Sequence, residues 1–325
     1  MSARPPLSPE LLKLDAAREA DRICDWIRAT AHDVKRRGAV VAFSGGIDSS
    51  VVGSLCVRAL GKENVAGLLM PEEDSGPETL GLSTGIVEHL GISYRLENLT
   101  PILAAVGCYR RRDEAIRSVV PDYQAGWKHK IVLPGVLDTD SYRVYSLVVQ
   151  TPEGQVRKER LPVGAYLAIV AATNFKQRTR KMMEYHEADR LNYVVAGTPN
   201  RLEYDQGFFV KLGDGAADLK PIAHLYKTQV YQMAEFLGVP ADIRRRPPTT
   251  DTYSLPQSQE EFYFSLPYDR MDLCLYARDR GYTAEEAASG LGLTAEQVER
   301  VYRDIEGKRR FARYLHLEPQ LLEPV

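Results

Sequence analysis

Short runs of β-branched and other apolar residues alternate with longer segments whose apolar residues recur at helical spacing. The runs predict buried strands of a parallel sheet, and the longer segments predict helices that cover it. The predicted strands are 40–43, 64–70, 92–96 and 191–197, and the predicted helices are 9–35, 49–56, 78–90, 165–183 and 227–237. This alternation predicts an α/β fold, a doubly wound parallel sheet with helices on both faces.

Two parts of the chain depart from this alternation. Residues 109–162 contain extended segments, and a Pro-Glu-Gly turn separates two alternating runs there, which predicts a β-hairpin insertion. The last part of the chain reads as helices joined by short loops. We therefore predict one domain over 1–325, with the insertion at about 109–162 and a helical tail at about 265–325.

Composition restricts the class of protein. The formal net charge is −2, from 42 basic and 44 acidic side chains, so no overall attraction to nucleic acid or to an anionic membrane is expected. The four cysteines form no CxxC pair, which predicts reduced, buried thiols and neither a zinc site nor a disulfide scaffold. No apolar stretch is long enough for a signal core or a membrane span, so a cytoplasmic protein is expected.

A serine- and glycine-rich turn joins the first predicted strand to the next helix. Its residues are Ser44, Gly45, Gly46, Ile47, Asp48, Ser49 and Ser50. Adjacent glycines let the backbone approach an anion, and the amides at the start of the helix carry the positive end of its dipole. Asp48 would repel a phosphate unless Mg²⁺ lay between them, so the turn predicts a metal–nucleotide site. The alternative is a turn that only connects strand to helix.

Further polar residues follow the later strands and helices. In GTPNRLEY, Thr198 can donate its hydroxyl to a nucleotide, and Glu203 can join Asp48 in binding Mg²⁺. A Gly-Asp-Gly loop then lies between Lys211 and Lys227, whose charges can neutralise phosphate. Other polar groups in this part of the chain that can contact a substrate or nucleotide are Asp214, Asp218 and Thr249.

Taken together, these blocks resemble the ammonia-dependent NAD synthetase family, and SGGxDS alone is the signature of pyrophosphatase-loop enzymes. The matching blocks are SGGIDS at 44–49, NFKQRTR at 174–180, GTPNRLE at 197–203, KLGDGAADLKP at 211–221, Lys227, and PPTTD at 247–251. The resemblance covers roughly 17–251 apart from the insertion. It implies an ATP-dependent amide ligase that adenylates deamido-NAD and transfers ammonia to it, releasing AMP and pyrophosphate.

The resemblance also implies roles for individual residues. ATP would contact Ser44, Gly45, Gly46, Ile47, Asp48, Ser49, Ser50, Met70, Thr198, Lys227 and Thr249, and Mg²⁺ would bind Asp48 and Glu203. The substrate would contact Asn174, Arg178, Lys211, Asp214, Asp218 and Lys308, and the catalytic residues would be Asp48, Lys211 and Lys227. A homodimer is implied, with deamido-NAD across its interface, and ammonia would be free or supplied by a separate glutaminase.

Two segments leave the identity of the carboxylate substrate open. The insertion precedes the NFKQRTR helix, and the loop at 254–272 adds Phe262, Tyr263, Phe264 and Tyr268, which either cover a ligand or pack in the core. A diverged ligase that amidates another carboxylate in specialised biosynthesis is therefore the main alternative. A tRNA-modifying pyrophosphatase-loop enzyme and a non-catalytic nucleotide-binding protein are weaker ones. The run at 109–112, with arginines at 110–112, can bind phosphate, but it is interpreted as a solvated charged edge.

Overall fold

The computed structural model describes residues 4–137, 144–249, 252–264 and 266–323. In chain order the strands are β1 (Ala39–Ala42), β2 (Val65–Leu69), β3 (Ser93–Leu96), β4 (Lys128–Val132), β5 (Ser146–Gln150), β6 (Val156–Arg160) and β7 (Val194–Ala196). The helices are α1 (Ala16–Asp33), α2 (Ile47–Leu60), α3 (Thr79–Leu90), α4 (Thr100–Ala105), α5 (Cys108–Arg117), α6 (Val163–Leu191), α7 (Arg201–Gln206), α8 (Lys227–Phe236), α9 (Ala241–Arg245), α10 (Tyr268–Asp279), α11 (Ala284–Leu291) and α12 (Ala295–His316).

The central sheet is parallel, with strand order β3, β2, β1, β7. Val40 of β1 lies opposite Ala66 of β2 and Val195 of β7. Leu219 forms an isolated parallel bridge to Ala196 and so extends the edge at β7. The parallel order requires each connection to cross over the sheet, as the alternating sequence pattern predicts.

Helices cover both faces of this sheet, because its strand residues alternate between two cores. Val41 and its neighbours on the same face pack against α1, α2, α3 and α8. Val40 and Leu68 point to the opposite face and pack against α4, α5 and α6. The predicted α/β architecture with helices on both faces is therefore confirmed.

The insertion forms a second, antiparallel sheet. The predicted hairpin is present as β5 and β6, which place Val148 opposite Lys158. The strand β4 pairs with the other side of β5, so the sheet has three strands among the described residues, one more than the predicted hairpin. The sequence pattern predicts only an extended segment at β4 and no pairing partner for it. The reason is that more than ten residues separate β4 from β5, whereas a hairpin is recognised by a tight turn.

Two predicted helices differ from those observed. The helix predicted over 9–35 is divided into a short 3-10 turn at Pro9–Leu12 and α1. Asp15, the last residue between this turn and α1, is the N-cap of α1, and its side chain accepts a hydrogen bond from the backbone N–H of Arg18. The helix predicted over 165–183 extends to Leu191, and Ala188 in its last turns packs on the central sheet.

The helices α10, α11 and α12 form the predicted helical tail and share a core of their own with Leu7 and Leu12 near the start of the chain. All four cysteines are free and buried, as the sequence predicts. Within the described ranges, no helix is long and apolar enough to cross a membrane.

Candidate active site

A large cavity opens beyond the carboxyl ends of β1, β2 and β7, where loops of an α/β sheet bind ligands. Its volume is about 680 Å³. The predicted site residues that line it are Ser44, Gly46, Ile47, Asp48, Ser49, Met70, Asn174, Arg178, Thr198, Glu203, Lys211, Asp214 and Thr249. Those outside its lining are Gly45, Ser50, Asp218, Lys227 and Lys308.

Serine hydroxyls hold the turn between β1 and α2 in shape. The Oγ atoms of Ser49 and Ser50 donate hydrogen bonds to the carbonyl of Gly46, at 3.0 and 2.9 Å. The backbone N–H of Ser44 donates to Ser49 Oγ at 3.3 Å. Ser50 is fully buried by this arrangement, so its hydroxyl supports the turn from beneath the cavity. The loop backbone is thereby preorganised before any anion binds.

The turn also demands a glycine at position 45. Gly45 has a φ of +69°, in the left-handed region that side chains disfavour. A Cβ atom there would lie 2.9 Å from the Cβ of Leu82 and 3.0 Å from the carbonyl oxygen of Thr79. Both the conformation and the close approach of α3 therefore require glycine, although this residue does not line the cavity.

Lys227, the first residue of α8, forms an ion pair with Asp48, near the start of α2. The Lys227 side chain is fully buried, and Asp48 also accepts a hydrogen bond from Asn200 Nδ2 at 3.0 Å. Burial disfavours the charged form of Lys227, but the Asp48 and Glu203 carboxylates outweigh that effect and raise the pKa of Lys227. The ammonium charge is therefore retained next to the cavity.

Glu203 is the third ionisable group of this cluster. It forms a capping box with Asn200 at the start of α7, and its Oε1 accepts a hydrogen bond from Gln259 Nε2 at 3.2 Å. Desolvation and, after it, the Asp48 carboxylate raise the pKa of Glu203 to about 8. Two neighbouring carboxylates that resist joint ionisation are suited to a cation between them.

Basic and acidic side chains line the other side of the cavity. Arg178 Nε donates to the carbonyl of Lys211 at 3.3 Å, and Lys211 Nζ donates to the carbonyls of Tyr314 and Leu317 at 2.9 and 2.8 Å. Asp214 accepts a hydrogen bond from a backbone N–H, and desolvation raises its pKa. The end of α12 thus meets the Gly-Asp-Gly loop at the rim of the cavity.

Asp218 and Lys308 are engaged elsewhere in the protein. The Asp218 carboxylate accepts hydrogen bonds from the backbone N–H of Val195 at 2.7 Å and from the hydroxyl of Tyr185 at 3.2 Å. Lys308 Nζ donates to the carbonyl of Tyr263 at 2.7 Å and pairs with Asp304. Both side chains support the walls of the site, and their contacts with substrate stay predictions.

Sequence reasoning assigned no role to Lys176, which lies in the cavity wall. Its ammonium is 1% exposed and donates to Glu72 at 3.0 Å, to Asp74 at 2.6 Å and to the carbonyl of Thr252 at 2.9 Å. One buried cation therefore joins the loop after β2, the helix α6 and the loop that follows Thr249. Its position inside the NFKQRTR block is the one sequence feature that points to a role for Lys176. Helical spacing does not show which loops its side chain contacts.

The arginine run at 110–112 is not uniformly solvated, so that prediction is wrong for Arg112. Arg112 is 4% exposed and donates to Asp74 at 2.6 Å. It adds a second cation to the cluster around Lys176, because α5 packs along α6. Arg110 and Arg111 are exposed, as predicted.

The aromatic residues of the loop at 254–272 divide between the two predicted roles. Phe264 is fully buried in the core of the helical tail, whereas Phe262 and Tyr263 line the cavity. Tyr145 and Tyr166 also line it and stack on each other with ring centroids 4.4 Å apart. The insertion, through Tyr145, and the first turn of α6, through Tyr166, thus contribute an aromatic wall to the cavity.

The chain is similar to known proteins over most of its length. A family model described as NAD synthase matches residues 19–121 and 145–314, leaving unmatched a segment that contains β4. The NH(3)-dependent NAD(+) synthetase of Rhizobium meliloti (strain 1021) is 59% identical over 318 residues, which cover 98% of this chain and 95% of that protein. The NH(3)-dependent NAD(+) synthetase of Thermotoga maritima is 34% identical over 293 residues, covering 90% of this chain and 96% of that protein.

Solved structures share the fold at lower sequence identity. The NMN synthetase from Francisella tularensis has a TM-score of 0.64 and 22% identity, over 95% of this chain and 100% of that chain. The NH3-dependent NAD synthetase from Campylobacter jejuni has a TM-score of 0.63 and 21% identity, over 96% of this chain and 100% of that chain. The fold and family predicted from the sequence are confirmed, and the chain belongs to the NAD synthase family.

Proposed function

We propose that this chain catalyses the ATP-dependent amidation of deamido-NAD by ammonia, forming NAD, AMP and pyrophosphate. It is a carbon–nitrogen ligase of NAD biosynthesis. The observation that carries the proposal is the meeting of the 44–50 turn, the Asp48–Lys227 pair and Glu203 at one end of the sheet. The NH(3)-dependent NAD(+) synthetase that is 59% identical over nearly the whole chain supports it.

The reaction needs ATP because a carboxylate is a poor acyl donor, whose leaving group would be oxide. A carboxylate oxygen attacks the α-phosphorus of ATP, and pyrophosphate leaves. Ammonia then attacks the activated carbonyl, loses a proton, and AMP leaves with the carbon–oxygen bonding pair. Both steps depend mainly on positioning and charge stabilisation, so no covalent attachment to a side chain is required.

The 44–50 turn and the first turn of α2 would hold the phosphates of ATP. Backbone N–H groups at the start of a helix with 14 residues offer donors and the positive end of the dipole. Lys227 would add a full positive charge beside the turn, because its ammonium is held next to Asp48. Thr198, Thr249 and Met70, which share the cavity, would contact the rest of the nucleotide.

The residues present fit a Mg²⁺ ion that travels with ATP. Asp48 and Glu203 offer hard oxygen atoms of the kind that Mg²⁺ prefers, and burial together with the neighbouring Asp48 carboxylate raises the pKa of Glu203. No group of three or more His, Cys, Asp or Glu suited to a metal occurs among the residues that the structure describes. The phosphates would therefore supply the remaining ligands, and the ion when bound would offset charge on the departing pyrophosphate.

The second substrate would bind along α6 and the Gly-Asp-Gly loop. Asn174, Arg178, Lys211 and Asp214 line the same cavity as the phosphate turn, so a carboxylate bound there can reach the α-phosphate. Lys211 and Arg178 would attract the anionic groups of a dinucleotide. Ammonia would serve as the nitrogen donor, either free or released by a separate glutaminase.

The proposed activity is tested with purified protein, ATP, Mg²⁺, ammonium and deamido-NAD. We expect NAD, AMP and pyrophosphate in equal amounts, with NAD measured by chromatography and pyrophosphate by a coupled assay. Omission of deamido-NAD is the control for uncoupled hydrolysis, and glutamine replaces ammonium in a parallel reaction. Pyrophosphate release with a different carboxylate, together with none from deamido-NAD, would contradict the proposal.

A homodimer is also proposed, with α6 at its interface. The outer side of α6 exposes Val163, Leu167 and Met182, which are 74%, 58% and 55% accessible. Val170 and Arg178 of the same helix line the cavity, so a second copy packed on α6 would stand beside the substrate. Burying an apolar stripe between subunits removes it from water.

Replacing Leu167 with glutamate is expected to convert the dimer to a monomer, because a charge would be buried in an apolar interface. Sedimentation velocity or light scattering measures the mass. Val34→Glu is the matched control, since Val34 is a similarly exposed apolar residue, 52% accessible, just after α1. A Leu167→Glu protein with the mass of the wild-type dimer would place the interface elsewhere.

A further inference from the structure

The helix α10 belongs to the tail, yet two of its side chains reach the charged cluster of the site. Tyr268 and Asp272 are four residues apart and therefore lie on one side of the helix. We propose that α10 positions the phosphate-binding groups, Asp272 through Lys227 and Tyr268 through Glu203. The proposal rests on the proposed function and adds two positioning residues to it.

Asp272 fixes the start of α8. Its Oδ2 accepts a hydrogen bond from the backbone N–H of Thr228 at 2.7 Å, and its Oδ1 accepts one from that of Lys227 at 3.2 Å. These N–H groups have no partner within α8, because they lie in its first turn. A carboxylate supplied by another helix satisfies them and meets the positive end of the dipole.

The Asp272 carboxylate is fully buried, although burial of a charge is costly. Burial raises its pKa to about 6, while the hydrogen bonds from Thr228 and Lys227 oppose the rise, so it is ionised at neutral pH. The helices α11 and α12 are capped by Thr283 and Thr294, the residues directly before them, whereas α8 receives this carboxylate from a distant helix. The carboxylate instead secures the backbone from which the Lys227 side chain reaches Asp48.

Lys227 needs this support because its long side chain has many rotamers. With its backbone held by Asp272, the ammonium lies between Asp48 and the ring of Tyr268, whose centroid is 5.5 Å from Nζ. A shift of the first turn of α8 would move the charge away from the position of the phosphates. Small displacements of positioned groups reduce catalysis strongly.

Tyr268 acts on the other charged residue. Its hydroxyl donates to Gln259 Oε1 at 2.9 Å, and Gln259 Nε2 donates to Glu203 Oε1 at 3.2 Å. The first bond sets the orientation of the amide, because Oε1 accepts from tyrosine and leaves Nε2 to face the carboxylate. Glu203 is thereby held from both sides, by Gln259 and by the capping box with Asn200.

The test combines Asp272→Asn with Lys227→Met in a double-mutant cycle. Asparagine keeps the size of the side chain but loses its charge, so we expect ATP affinity, measured by calorimetry, and kcat each to fall about tenfold. In the Lys227→Met protein, the same change is expected to alter ATP affinity less than about twofold, because the group that Asp272 positions is gone. Asp269→Asn, an exposed carboxylate of the same helix, is the control and should behave as wild type.

Equal losses from Asp272→Asn in the two backgrounds would overturn the proposal, since a general structural defect does not depend on Lys227. If Asp272→Asn fails to fold, Tyr268→Phe decides. The Tyr268→Phe variant should have a lower kcat than the wild type and an unchanged thermal midpoint. A Tyr268→Phe variant with the kcat and ATP affinity of the wild type would overturn the proposal. Failure of the proposed function is separate: the wild-type protein would then make no NAD, while the cycle on ATP affinity could still be read.

Discussion

Replacing Asp48 with asparagine is expected to lower kcat by about two to three orders of magnitude. Asparagine has the same shape but no charge, so the buried Lys227 ammonium loses its ion-pair partner and the proposed Mg²⁺ site loses an anionic ligand. Removing one partner of a buried ion pair also destabilises a fold, by about 3–5 kcal/mol. NAD formation and thermal unfolding are measured together, at a temperature where the variant is folded.

The control for this change is again Asp269→Asn, which removes an exposed carboxylate from the first turn of another helix. It should leave kcat unchanged and cost at most about 1 kcal/mol of stability, the contribution of an exposed first-turn carboxylate. An Asp48→Asn protein with kcat within about threefold of the wild type would mean that the Asp48–Lys227 pair has no part in charge stabilisation.

Replacing Gly45 with alanine is expected to raise the KM for ATP at least about tenfold. An alanine at this position would have to adopt the left-handed conformation at φ +69°, and its Cβ would lie 2.9 Å from Leu82 Cβ. The conformation alone costs about 1–2 kcal/mol, and the contact forces the turn away from α3. In the proposed function the turn presents its N–H groups to the phosphates, so a displaced turn would bind ATP less tightly.

The matched control is Gly85→Ala, a glycine-to-alanine change in the middle of α3. A Cβ atom there meets nothing within 4 Å, and the backbone is helical. That variant should keep the KM for ATP and gain stability, by about 0.5–1 kcal/mol. If both variants bound ATP like the wild type, the turn would tolerate a side chain and would not be the phosphate site.

Much of the fold follows from local patterns. Runs such as Val40–Ala42 are apolar at every position because both faces of the central strands are covered, and that feature is visible in the sequence. Boundaries were less accurate. The N-terminal helix breaks at Asp15, and β4 joins the inserted sheet across a long connection, since caps and distant partners leave little periodic signal.

The candidate site can be argued from the sequence where one segment carries its chemistry. The turn at 44–50 combines glycines, hydroxyls and a carboxylate with a following helix, so its suitability for phosphate can be argued from adjacent residues. Gln259, Asn200 and Asp272 could not be assigned in that way. Each acts on a charged group far away in sequence, and an amide or a buried carboxylate has no spacing that identifies its partner.

The sequence by itself determined the α/β alternation, the serine- and glycine-rich turn at 44–50 and membership of the NAD synthase family, because these depend on short motifs and regular periods. The tertiary structure decided which charges meet. Lys227 pairs with Asp48, which is 179 residues away in the sequence. Asp218 accepts a hydrogen bond from the backbone of β7, and Lys176 donates hydrogen bonds to two loops in the cavity wall. The packing of the helices on the sheet determines these partners. A buried charge is costly unless it is paired, so each of these groups is stabilised by the side chains and backbone groups that packing places beside it.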